Sequence, residues 1–130
     1  MESRFRSDLI AWLASDAVLA AGLNAVSEES PFSAPPPWLG IAASASADWS
    51  AKGATGREVR VALELTCRSD DPAQAGLLAA AVEHRIATLP PAQDGYRIVV
   101  TQFLRSRAER RAGSTRAVLL EYRFLLFATH

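Results

Sequence analysis

The strongest pattern in the chain is a ten-residue alternation from Glu58 to Cys67. Val59, Val61, Leu63, Leu65 and Cys67 alternate with Glu58, Arg60, Ala62, Glu64 and Thr66. A period of two means a strand with one buried and one polar face. Arg116 to Phe127 alternates as well. Val118, Leu120, Tyr122, Phe124 and Leu126 define one face, and Leu119, Glu121, Arg123, Leu125 and Phe127 the other. Tyr96 to Arg107 reads as its partner, entered through the Asp94-Gly95 turn and joined to it by a basic stretch with Gly113 at the turn. These two segments predict a long antiparallel hairpin. Trp38 to Ala43 predicts a short strand, and Ser44 to Gly56, small and polar, a connection.

Helical spacing appears in three places. Phe5, Leu9, Trp12 and Leu13 predict a helix over Ser3–Leu13, with Ser3 or Ser7 as its cap. Asp16 caps a short second helix, Asp16–Leu23, carrying Val18, Leu19 and Leu23 and ending near Gly22. Asp70-Asp71-Pro72 is a strong helix start. The helix it opens presents Ala75, Leu78, Ala79, Val82, Ile86 and Leu89 on one side and stops before Pro90-Pro91. Ser27 to Pro37, with Pro31 and the stiff Pro35-Pro36-Pro37 run, is a loop. The order helix, helix, strand, strand, helix, strand, strand predicts an α+β fold: an antiparallel sheet of three to four strands with helices packed on one face. Residues 1–130 are expected to form one domain.

Composition narrows the class. Apolar residues make up 49% of the chain, which argues for a packed core and against disorder. No apolar run approaches the roughly 20 residues of a membrane span, and no membrane partner is expected. Charges at Glu2, Arg4, Arg6 and Asp8 interrupt the N-terminus, so it does not read as a secretory signal. With Cys67 as the single cysteine, no internal disulfide forms. The chain is read as cytosolic. Fourteen basic residues balance fourteen acidic ones, so general nucleic-acid affinity is not expected. All the basic residues but Lys52 are Arg, whose planar forks suit interfaces.

The search for chemistry returns no enzyme site. Cys67 and His84 are the one candidate nucleophile pair, and no spacing brings them together. His130 is terminal. No pattern predicts a metal site or a phosphate loop. No cofactor and no catalytic residue is expected. Two surface features do stand out. Arg105, Arg107, Arg110, Arg111 and Arg116 crowd the hairpin end against the single acid Glu109, suiting contact with phosphate or an acidic protein surface. Leu119, Leu125 and Phe127 make the second face of the last strand apolar, with too few helices to cover it. Burial against another subunit is the expectation, and Trp49, lone in its loop, either packs back or joins that interface.

An ordered set of segments also carries a resemblance. Trp38-Leu39-Gly40-Ile41-Ala42 is followed by Asp48-Trp49-Ser50 and Lys52, then Glu58-Val59-Arg60-Val61-Ala62-Leu63-Glu64-Leu65, the helix from Asp71 to Leu89, and Tyr122-Arg123-Phe124. Over nearly its whole length the chain resembles small proteins of the tail gene clusters of siphophages, prophages and gene transfer agents, which are similar to tail terminator (tail completion) proteins. The resemblance implies a sheet with helices on one side and no catalytic residues. It implies a homo-oligomeric, hexameric ring that caps the tail tube, ends its polymerisation and joins tail to head. The partners it implies are further copies of the chain, the tail tube protein and a head-tail connector protein. DNA passing through the lumen would make a transient contact. Such a chain is cytoplasmic during assembly and then part of the particle. The alternatives are another head-tail connector component (a stopper or adaptor) and a free-standing, non-enzymatic binding module.

Overall fold

A computed structural model describes residues 1–29, 33–68, 70 and 72–129. Pro31 of the expected loop, Asp71 of the expected cap and His130 lie outside the described residues. The elements are helices α1 (Glu2–Ala14), α2 (Ala17–Gly22) and α3 (Pro72–Ala87), and strands β1 (Ala25–Ser27), β2 (Trp38–Asp48), β3 (Gly56–Arg68), β4 (Tyr96–Arg111) and β5 (Thr115–Ala128). The class is α+β. The sheet has five strands among the described residues, not three to four, in the order β1-β2-β3-β5-β4.

Every pairing is antiparallel except that of β1 with β2. β1 covers only Trp38, Leu39 and Gly40. It is too short, and too uniformly half-buried, to show a period in the sequence. β2 runs on to Asp48, where the sequence predicts a connection. Ala42 to Asp48 are exposed Ala, Ser and Asp. With neither face buried, no alternation marks them, and it is mainly the pairing with β3 that holds them extended. The β4–β5 hairpin is likewise longer than expected, closing through Gly113 (φ 74°) and Ser114 (φ 58°). Glycine tolerates that conformation at no steric cost.

The helices pack on one face of the sheet, which we call the inner face. Phe5, Leu9 and Leu13 of α1, Leu19 of α2, and Leu78, Val82 and Ile86 of α3 meet Val59, Val61, Leu63 and Leu65 of β3. Leu120, Tyr122, Phe124 and Leu126 of β5 complete this core. The Phe5 ring lies 4.6 Å from Phe124 and edge-on to Tyr96 at 6.4 Å. The Tyr96 hydroxyl donates to Asp8 at 2.6 Å. Burial, together with that bond, raises the phenol pKa above its ordinary 10. Asp16 caps α2 by accepting from the Leu19 N–H at 3.1 Å. α1 starts at Met1 without a side-chain cap, so neither Ser3 nor Ser7 takes the role expected of it.

α1 and α3 are clasped by Trp12 and Arg85. The indole N–H donates to the Arg85 carbonyl at 2.9 Å, and Arg85 Nε donates to the Trp12 carbonyl at 2.9 Å. Arg85 Nη2 donates to Ser15 at 2.7 Å, and the guanidinium lies 3.4 Å from the Trp12 ring centre. A lysine has neither the flat face for stacking nor the fork. Arg85→Lys is expected to cost about 1–3 kcal/mol, read as a lower urea midpoint with unchanged far-UV circular dichroism.

Candidate assembly surfaces

Cross-strand register sorts the five hairpin arginines onto two faces. Arg105, Arg107 and Arg111 lie opposite Glu121, Leu119 and Thr115, on the outer face away from the helices. Arg110 lies opposite Arg116 on the inner face.

The outer arginines are neutralised. Arg105 forks onto Glu121. Arg111 reaches Glu109 at 2.5 Å and Glu64 at 3.8 Å, and Arg107 lies 3.9 Å from Glu109. On the same face Arg123 bonds Glu58 at 2.6 Å and Arg60 lies 3.3 Å from Glu58. The hydrogen bond from Arg123 holds the Glu58 carboxyl below its ordinary pKa, and Arg105 does the same for Glu121. The result is a ladder of alternating charge across three strands.

Arg110 and Arg116 differ. Among the described residues neither has an acid within ion-pair range. Like charges directly opposite on a hairpin repel, so this pair would be stabilised by an anion from outside the chain. The expected five-arginine cluster is therefore two surfaces, one balanced and one bare. The acids that balance the first sit on neighbouring strands, which local sequence does not reveal.

Leu119 and Leu125 occupy the outer face as expected, yet are only 8% and 4% exposed in the single chain. Leu119 sits between Glu64 and Arg107, and Leu125 between Glu58 and Val100. Long charged side chains shelter apolar neighbours in this way while keeping their heads wet. Phe127 is half-buried, and Trp49 packs on it with the rings tilted by 44° and 5.1 Å apart, while remaining 40% exposed. Gly56 lies beneath them. A Cβ there would stand 2.6 Å from the Trp49 carbonyl oxygen and 2.8 Å from the Phe127 ring.

Cys67 is fully buried in the core and His84 is exposed on α3. No cluster of three or more metal-ligating side chains exists among the described residues, and no helix there is long and apolar enough to cross a membrane.

The family model of tail completion protein gp17 matches residues 7–126. The chain belongs to this tail completion family. It is thus a structural tail protein of a phage-like particle, and the family is not an enzyme family. A chain from the solved structure titled "Virion of native gene transfer agent (GTA) particle" shares the fold. Its TM-score is 0.77 at 24% identity, over 95% of this chain and 94% of that one. No curated protein sequence matches.

Two outcomes test the surfaces. Gly56→Ala should force Trp49 off Phe127 and destabilise the fold by about 1–3 kcal/mol, with a matching change in tryptophan fluorescence. The charge ladder predicts a pH dependence. Carboxylates whose pKa is depressed on folding add stability above the unfolded value and lose it as pH falls through the folded one. The urea midpoint should therefore fall as the pH drops below the ordinary 4.5 of Glu58 and Glu121. The double variant Glu58→Gln, Glu121→Gln should show a shallower fall.

Proposed function

We propose that this chain is the terminator of a tail tube, in a phage, prophage or gene transfer agent particle. The match to the tail completion family over residues 7–126 carries the reading. Copies close into a hexameric ring on the last ring of tube protein. The ring covers the subunit-binding surface of the growing tube and presents a different surface to the head-tail connector. Polymerisation ends because the new surface does not bind tube protein. A closed ring needs two unlike patches on each subunit, one for each neighbour.

The residues divide between these tasks. Arg110 and Arg116 suit an acidic surface on the tube or the connector, since guanidinium forks pair with carboxylates. Arg105, Arg107 and Arg111 are already paired with glutamates, so a face they line offers passing DNA only weak, salt-sensitive contact. Trp49 with Phe127 offers an exposed aromatic anchor for a neighbouring subunit, with Leu119 and Leu125 beneath the same face. The chain assembles in the cytoplasm and then travels in the particle.

The same family and fold also suit a head-tail connector component. Detached tails and tail-less heads, each probed with labelled antibody to this chain, separate the readings: label at one end of tails supports the terminator, and label only on heads supports the connector. Arg110→Glu with Arg116→Glu is expected to leave the thermal midpoint unchanged within a few degrees and to stop tails from joining heads. Normal particles from that variant would remove these two arginines from the contact.

A further inference from the structure

The sheet has two bare edges, and they are unlike. β1 pairs with β2 only as far as Gly40, so the edge from Ile41 to Asp48 has no strand beside it among the described residues. At about 3.3 Å per residue this is a run of roughly 25 Å. On the other side, the segment before β4 pairs with its start: the Ile98 N–H donates to the Pro91 carbonyl at 2.8 Å and the Gln93 N–H to the Tyr96 carbonyl at 3.1 Å. From Val100 to Arg111 the β4 edge has no strand beside it among the described residues.

Between a single bulge at Ala42 and the charge of Asp48, the β2 edge carries few of the devices that keep sheet edges apart. Ala42-Ala43-Ser44-Ala45-Ser46-Ala47 has no charge, no proline and no bulky side chain, and is exposed throughout. Its main-chain groups are aimed outward in a defined pattern. The Trp49 N–H donates to the Gly56 carbonyl at 3.0 Å, and paired residues alternate in an antiparallel ladder. Ala43, Ala45 and Ala47 therefore bond to β3. Ser44, Ser46 and Asp48 turn their N–H and C=O groups to the open side. The β4 edge supplies the complement in size, with Val99, Phe103 and Leu104 exposed along it.

Direction decides the occupant. Successive antiparallel pairing along β2-β3-β5-β4 makes β2 and β4 run opposite ways. A rotation that brings one copy's β4 against the next copy's β2 therefore pairs them antiparallel, and repetition of that rotation closes a ring. We propose that the Ile41–Asp48 edge of each subunit is extended by the Val100–Arg111 edge of a second copy, so that the ring is one continuous sheet. Its helices stand outside and its Arg–Glu face lines the channel. This rests on the ring reading above and specifies its subunit contact.

Ser46→Pro tests it. Proline on an outward-facing edge position leaves the β3 ladder intact and removes the donor the neighbour needs. Strains lacking the gene are complemented with wild-type or Ser46→Pro chain, and the chain is quantified in purified particles. The expected result is wild-type chain in particles, and Ser46→Pro chain folded in solution but lost from particles. Rings containing normal amounts of Ser46→Pro would overturn the edge contact and leave the ring standing. Wild-type chain absent from particles would overturn both. Should Ser46→Pro fail to fold, Ser46→Cys with Ser106→Cys decides. The two sites lie on opposite edges of one chain, so edge pairing gives a reducible ladder of linked copies in particles, and its absence across neighbouring β4 positions rejects the contact.

Discussion

The pairing of β3 with β5 is the constraint on which the rest depends. Thirteen cross-strand positions run without a break from Gly56–Phe127 to Arg68–Thr115. The inner faces of both strands take the helices, and the outer face is closed by the Arg–Glu ladder over Leu119 and Leu125. Two central strands covered on both sides form a rigid plate. Everything that faces outward, both sheet edges and the hairpin end, is placed by that plate.

A plate of this kind leaves its cost at the margins. β2 and β4 are held mainly through their inner neighbours, and most of their side chains are exposed. A monomer intended to stay alone would shorten, charge or cover such edges. β4 is charged and twice bulged, whereas β2 is bulged once, at Ala42, and carries only small side chains from there to Ala47. That asymmetry is what a head-to-tail assembly needs and what a free-standing binding module does not. Arg110 and Arg116, paired with each other at the far end of the same hairpin, add a concentration of like charge there.

Much of this was legible in the residues. The alternation of β3 and β5, the three helices and the α+β class follow from periodicity alone, because each of these elements buries one side. β1 and the second half of β2 were not legible, since a strand buried on neither face leaves no hydrophobic period to read. The arginine cluster was visible as a count but not as two surfaces. Glu64 and Glu121 reach it across strands, and only register shows which arginine each one meets. Leu119 and Leu125 were placed on the correct face, while their cover comes from charged side chains of β3 and β4. Trp49 packs back on Phe127 and still keeps part of its ring exposed.

Electron microscopy of particles from a strain lacking this gene tests the central claim most directly. Termination predicts tail tubes of uncontrolled length, unattached to filled heads. Particles with normal tails of normal length, still able to deliver DNA, would contradict it.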